Sequence, residues 1–516
     1  ALEVSEAGLA LRLFPRQQEG GHELQPGEQK THVFTLAVGR DPVTEAPLDW
    51  ARAPLVARAT PEQYCGSGAV PYLQPSTVDP HPGYLALVAS AIEGEDCFEQ
   101  KREIVDEYGW RNFGDMYADH ERAYYRGPAP IISHYNNQYD ALAGLARQFM
   151  RSGDDRWWMQ LDELAQHVVD IDIYHTAEDK AAYNQGLMWH TTHYVDAGLA
   201  THRSYPRAPG VGGGGPAAEH NYNAGLALHY FLTGVPGSRD AAIGLGRWVV
   251  EMDDGNRTDL RWLARGDTGV ASNTYSPLYH GPGRGAGYSI AALMEAARLS
   301  GERPFFDKAE ALVRRCIHPA DDIEAWELLD IERRWSYTIF LHVLGRYLDE
   351  KVERNELDMM YTWARRALIV YARWMAANES PYLDRRAELE FPTETWVVQE
   401  LWKSEVFTFA ARYATPEERS LFLDRAAFFF DYAVEALGRE PTRTTTRPMV
   451  LLLSRGLMHG YVRCHPEALE APGGDAHALP GRVPFVPQKV RAKRHAIALA
   501  IIGGALAAGG LFWLLI

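Results

Sequence analysis

The feature that most constrains this 516-residue chain is a weak internal repeat. A polar, aromatic cluster opens an amphipathic helix, a short turn follows, and a second amphipathic helix runs back. Residues 139–150, the turn RSGDD and residues 156–171 make one such pair. Residues 223–232 with 239–252, 287–299 with 305–317, 336–347 with 356–375, and 394–413 with 419–437 make four more, and 447–462 supplies half of a sixth. Helices joined by short turns are antiparallel neighbours. Such hairpins stack into an open superhelix or close into an α/α toroid. The irregular spacing and the long insertion at 173–220 suit a toroid with one elaborated rim, and closure removes the need for polar capping repeats.

The flanks differ. Residues 9–14 (LALRLF) and 32–38 (HVFTLAV) read as strands separated by a polar, Gly-rich stretch. Two or three strands do not make a stable sheet domain. At the other end, residues 496–516 carry no charge, and about 20 apolar residues span a hydrocarbon core. Arg491, Lys493 and Arg494 precede this run, Trp513 lies near its far end, and Gly503, Gly504, Ala507 and Ala508 offer a small-residue face to a helix partner. The expected fold class is mainly α: an α/α toroid of about six helical hairpins, preceded by a partial β-sandwich and followed by one C-terminal transmembrane helix. The expected divisions are 1–105 for the β-sandwich remnant and linker, 106–465 for the toroid, 466–495 for a Pro/Gly-rich basic linker and 496–516 for the span.

The formal net charge of −16 argues against a nucleic-acid partner, because phosphate binding needs a concentrated basic surface. Membrane lipid is the partner that the tail implies. Cys65, Cys97, Cys316 and Cys464 form no CxxC, so structural zinc and covalent haem are not expected. Cys65 and Cys97 are the candidates for a disulfide if the domain is exported.

Residues 107–140 are dense in aromatic and polar side chains, among them Tyr108, Trp110, Arg111, Asn112, Asp115, His120, Glu121, His134, Tyr135, Asn136 and Asn137. Aromatic faces beside fixed donors and acceptors suit a sugar ring, and the competing reading is a buried hydrogen-bonded knot. The later clusters are alike: Glu219, His220, Asn221 and Tyr222; Tyr275, Tyr279, His280, Arg284 and Tyr288; Arg334, Trp335 and Tyr337; Glu394, Trp396, Gln399 and Lys403. Each alone reads as helix capping, but in a toroid equivalent helix ends converge on one rim and one pocket. Trp110, Asn136, Trp189, Glu219, Asn221, Tyr279, His280, Arg284, Trp335, Glu394, Trp396 and Lys403 are therefore the expected substrate-binding residues. His190 and His193, at i and i+3, share a helix face if helical, as metal ligands can. No carboxylate ligand stands out beside them, so no metal or other cofactor is expected. The glycine run at 210–215 precedes no P-loop lysine and reads as a lid or linker.

EYGWRNFGDMYADHE, SHYNNQYD, EHNYNAGLALHYFLTG and PTETWVVQELWK together resemble the rhamnogalacturonan exolyase-like family of polysaccharide lyases. The resemblance covers roughly residues 5–465. It implies the end of a central β-sandwich followed by an α/α toroid, and an uronate-containing polysaccharide or other glycan as partner. It also implies β-elimination, which needs a base and a cation that neutralises the uronate carboxylate. Arg111, His134, Tyr135, His193, Tyr194 and His220 are the candidate catalytic residues, with Arg111, Arg284 and Lys403 as candidate cations. A glycoside hydrolase needs paired carboxylates instead, for which Asp119, Glu121, Glu219 and Glu394 are available. A further alternative is a non-catalytic glycan-binding or scaffold subunit of a membrane assembly. The resemblance favours an extracytoplasmic soluble domain, whereas the basic cluster before the span favours a cytoplasmic one.

Overall fold

Helices that are buried on most sides alternate along this chain with helices that bury one stripe, and that contrast sorts them into two layers. The coordinates are a computed structural model that describes residues 2–15, 22, 24–36, 49–52, 56–105, 109–123, 125–127, 131–196, 213–257, 270–274, 279–472 and 477–515, with side chains to residue 507. The inner helices are α2 (Ala141–Ser152), α4 (Ala224–Thr233), α6 (Arg284–Ser300), α8 (Tyr337–Glu353), α10 (Glu394–Tyr413) and α12 (Thr446–Ser454), all buried on most sides except α4, which leaves Phe231 exposed. Their partners are α3 (Asp155–His167), α5 (Pro236–Met252), α7 (Arg303–Cys316), α9 (Met359–Asn378) and α11 (Pro416–Arg439). In α10 an unbroken run from Val397 to Ala411 is buried. Its partner α11 buries Phe422, Ala426, Phe429, Phe430, Ala433 and Leu437 and leaves its other face wet, the pattern of a surface helix.

The first layer closes on itself. α2 packs on α4, α4 on α6, α6 on α8, α8 on α10, α10 on α12, and α12 returns to α2. α1 (Pro82–Ala89), from early in the chain, covers α11 and α12 and stands where a sixth outer partner would. The Tyr84 hydroxyl bonds the carbonyls of Leu452 and Arg455, each at 3.1 Å. Residues 61–105 thus belong to the helical body and not to a β remnant. The turns follow local chemistry: Gly153, Gly234 and Gly301 end α2, α4 and α6 in the left-handed region, and proline stands in the first turn of α5, α7 and α11.

The strand expectations are corrected in detail. β1 (Leu2–Ser5) and β2 (Gly8–Leu11) form an antiparallel hairpin with Leu2 opposite Leu11, fully exposed. It is the only sheet among the described residues. Residues 32–36 form no strand, because no strand among the described residues pairs with them, and 37–38 lie outside the described residues. Cys65, Cys97, Cys316 and Cys464 are all free thiols. α13 (Leu457–Cys464) closes the helical body, and α14 (Gln488–Leu515) forms the tail. Ile497, Leu499, Ile501, Ile502 and Leu506 on α14 are exposed. Among the described residues no helix is long and apolar enough to cross a membrane.

Candidate functional site

Carboxylates and amides from the polar clusters tie the N-terminal ends of the inner helices together. Asp140, at the start of α2, accepts the Gly225 amide at the start of α4 with both oxygens at 3.1 Å. Asp119 accepts the Thr446 amide of α12 at 2.7 Å and pairs with buried Lys101 at 2.8 Å. Glu394 accepts from the hydroxyls of Thr442 and Thr445, both at 2.9 Å. Asn136 donates to the Met188 carbonyl and Asn221 to the Leu245 carbonyl. For Asn136, Asn221 and Glu394 the structure supplies packing and capping partners, the knot reading of these clusters.

Above those ends four metal-ligating side chains meet. His120 and Glu121 lie in the helical turn Asp119–Ala123, and His190 and His193 come from the insertion. One ligand atom from each lies within 4.8 Å of all the others. The histidines do not share a helix face, because 190–194 is not helical. A turn brings their ring centroids to 4.2 Å. The glycine run contributes here. The Gly214 amide bonds the His190 carbonyl at 3.0 Å, and Gly213, at φ +92°, approaches the Thr191 carbonyl so closely that a Cβ would stand 2.3 Å from that oxygen. Residues 210–212 lie outside the described residues.

Glu121 accepts the Tyr194 amide at 3.0 Å and also bonds His193 Nδ1. The His190 Nε2 lies 3.8 Å from Glu121 Oε1. Neither ring nitrogen of His120 has a hydrogen-bond partner, nor does the Tyr135 hydroxyl. Burial holds His120, His193 and His220 uncharged and lowers His190 to about 3, while burial raises Glu121. Arg447 and Arg284 add positive charge beside the histidines. Trp189 stacks on His220 with centroids 3.5 Å apart at 10°. Arg284 reaches Glu219 at 3.2 Å and lies over Trp335, which meets Trp396. Tyr194 packs on Phe391.

The expected residues therefore divide. Tyr135, Trp189, His193, Tyr194, Glu219, His220, Arg284, Trp335 and Trp396 gather at this end. Others point elsewhere. Arg111 pairs with Glu28, and Trp110 packs against Phe14 and His22. His134 faces Asp115 at 2.9 Å, in a buried group with His167 and Asp172. The Tyr279 hydroxyl donates to the Pro282 carbonyl, and His280 meets Ser272 and Phe485. Lys403 is fully buried between Glu379 at 2.8 Å and Glu400 at 3.0 Å, so it is not free to face a substrate. Tyr108 and Tyr275 lie outside the described residues. His120 and Arg447 were not among the expected site residues, and Glu121 was offered only as a hydrolase carboxylate. Arg447 opens the half hairpin expected at 447–462 and stands at the start of α12.

A large cavity lies at the other end. About 910 Å³ opens among the C-terminal halves of the inner helices, lined by Arg147, Glu295, Arg346, His342, Glu405 and Arg455 among others. This cavity does not lie at the cluster-bearing rim where the sequence places a pocket. The acidic group Glu310, Glu356 and Asp358 also lies toward that end, and it is already filled by the Lys351 ammonium at 2.8, 3.0 and 2.8 Å.

No protein-family model matches the chain, and comparison with curated proteins finds no match.

Proposed function

We propose that the chain is a carbohydrate-active protein whose site lies at the N-terminal ends of the inner helices, and that it cleaves uronate-containing, rhamnogalacturonan-type polysaccharide by β-elimination. The observation that carries this is the meeting of Trp189-stacked His220 with Arg284, beside Tyr194, Trp335 and Trp396. Arg284 neutralises the uronate carboxylate. Uncharged His220 removes the proton from the adjacent carbon, the C4–O4 bond breaks so that O4 departs with the leaving sugar, and the resulting imidazolium returns the proton to that oxygen. The cyclic order of the inner helices supports an α/α toroid as the frame. Asp119 is held by the Thr446 amide and Glu394 by the Thr442 and Thr445 hydroxyls, which disfavours these two of the four available carboxylates as a hydrolase pair. The exposed apolar face of α14 and the basic residues before it support membrane attachment through the tail, and resistance to carbonate extraction tests that.

The full chain incubated with rhamnogalacturonan oligosaccharides should generate the ultraviolet absorbance of an unsaturated uronate. His220→Gln should lower that rate by at least about 100-fold, the usual weight of a general base. Absence of absorbance with every uronate polymer tried would refute the lyase reading. Glycan binding without absorbance would leave the second reading, a non-catalytic glycan-binding subunit, which the partly exposed aromatics Tyr194, Phe391, Trp335 and Trp396 favour.

A further inference from the structure

We infer that His120, Glu121, His190 and His193 form a binding site for one divalent transition-metal ion of the zinc class. The argument rests on hydrogen positions. The His190 Nδ1 lies 2.6 Å from the Thr191 carbonyl oxygen. A carbonyl only accepts, so Nδ1 carries the hydrogen, and in the neutral ring Nε2 presents a lone pair. That lone pair faces Glu121 Oε1 at 3.8 Å. Two lone-pair bearers face each other in a buried place, an arrangement a cation between them makes favourable. A second observation is independent of the first. His120 is 8 % exposed, and neither of its nitrogens has a hydrogen-bond partner among the described residues, an unfavourable state for a buried polar group. A ligand bond to an ion satisfies one of them.

The donor set selects the ion. Imidazole nitrogens with one carboxylate suit zinc and its first-row neighbours, whereas calcium and magnesium demand oxygen. A tetrahedral site with bonds near 2.0 Å places its donor atoms about 3.3 Å apart. The donors now lie within 4.8 Å of one another, so side-chain shifts on the order of 1 Å assemble the site. The outer contacts of a metal site are also present: the Thr191 carbonyl orients His190, and the Tyr194 amide holds Glu121 Oε2 at 3.0 Å. Glu310, Glu356 and Asp358 provide an internal contrast, because Lys351 already occupies their centre.

The inference is independent of the glycan reading, and its test does not measure turnover. The full chain, stripped with a chelator, is titrated with zinc and then with cobalt(II), and bound metal is counted. The wild type should take up about one ion per chain, with the visible bands of cobalt in a tetrahedral nitrogen and oxygen field. His120→Phe removes a ligand that has no hydrogen bonds to lose, and should weaken zinc binding by at least about 100-fold with an unchanged circular dichroism spectrum, since loss of an outer contact alone costs 10–100-fold. Glu121→Gln should do the same, and Glu356→Gln should leave stoichiometry and affinity unchanged. Failure of the stripped wild type to bind either metal overturns the site. So does binding of equal strength in wild type, His120→Phe and Glu121→Gln.

Discussion

At the C-terminal end of the inner helices, Glu405 meets both Arg455 and His342 at 3.0 Å and accepts the Gly456 amide at 3.2 Å. At the N-terminal end, His120 has no partner at either nitrogen and the Tyr135 hydroxyl has none. Both ends are rich in buried polar groups, and both belong to the same set of helices. One end uses its charges on itself, as a structural network does. The other also pairs charges, Arg284 with Glu219 and Lys101 with Asp119, but leaves the His120 ring without a hydrogen-bond partner among the described residues, although leaving buried polar groups unpaired weakens the fold. A site that binds something is where such groups are expected to accumulate.

Substitutions at the two ends should separate these roles. The largest loss of stability is expected for Lys351→Met, which leaves Glu310, Glu356 and Asp358 facing one another without a cation; chemical denaturation should show a loss of about 4 kcal/mol. Glu405→Gln should cost about 3 kcal/mol near neutral pH by leaving Arg455 underpaired. That second penalty should depend on pH. Burial raises the Glu405 carboxyl, but Arg455 and His342 more than offset it and hold it at about 2, against an ordinary value of 4.5. A depressed carboxyl stabilises the fold above the ordinary value, and the contribution fades as pH falls toward the folded value. The gap between wild type and Glu405→Gln should therefore narrow by about 1.4 kcal/mol for each pH unit below 4.5. A gap that stays constant down to pH 3 would mean that Glu405 is not held ionised. The smallest effect is expected for His120→Phe, within about 1 kcal/mol of wild type or above it, because no hydrogen bond is broken. A loss of 3 kcal/mol or more there would erase the contrast and make the N-terminal end a structural network as well.

The helix pairs were legible because their evidence is local. The apolar stripe of α11 and the glycine and proline punctuation of the turns can be read within a dozen residues. Trp189, His220 and Arg284 were legible as members of repeated clusters, since each stands just before or within the insertion or at a helix start. Glu121 was not connected to His193, because 72 residues separate them and only the turn at 193–194 makes them neighbours. Lys403 shows the opposite failure. Its charge suggested a ligand contact, but Glu400 three positions earlier already offered it a partner on the same helix. Residues 32–36 had strand-like side chains and no neighbouring strand among the described residues, and β propensity without a pairing partner does not make a sheet.

The placement of α1 against α11 and α12 has a consequence for how the chain is made. Tyr84 waits for a carbonyl 368 residues downstream, and Arg151 pairs with Asp79 across 72. The exposed flank of α2 stays open through most of synthesis, until α12 leaves the ribosome and the last seam is sealed. The entropic penalty of joining ends so remote grows only with the logarithm of their separation, but the waiting time is set by elongation. A chain released before residue 446 lacks the last inner helix and presents two raw helix faces to its neighbours, the surfaces through which an unfinished ring would exchange segments with another copy.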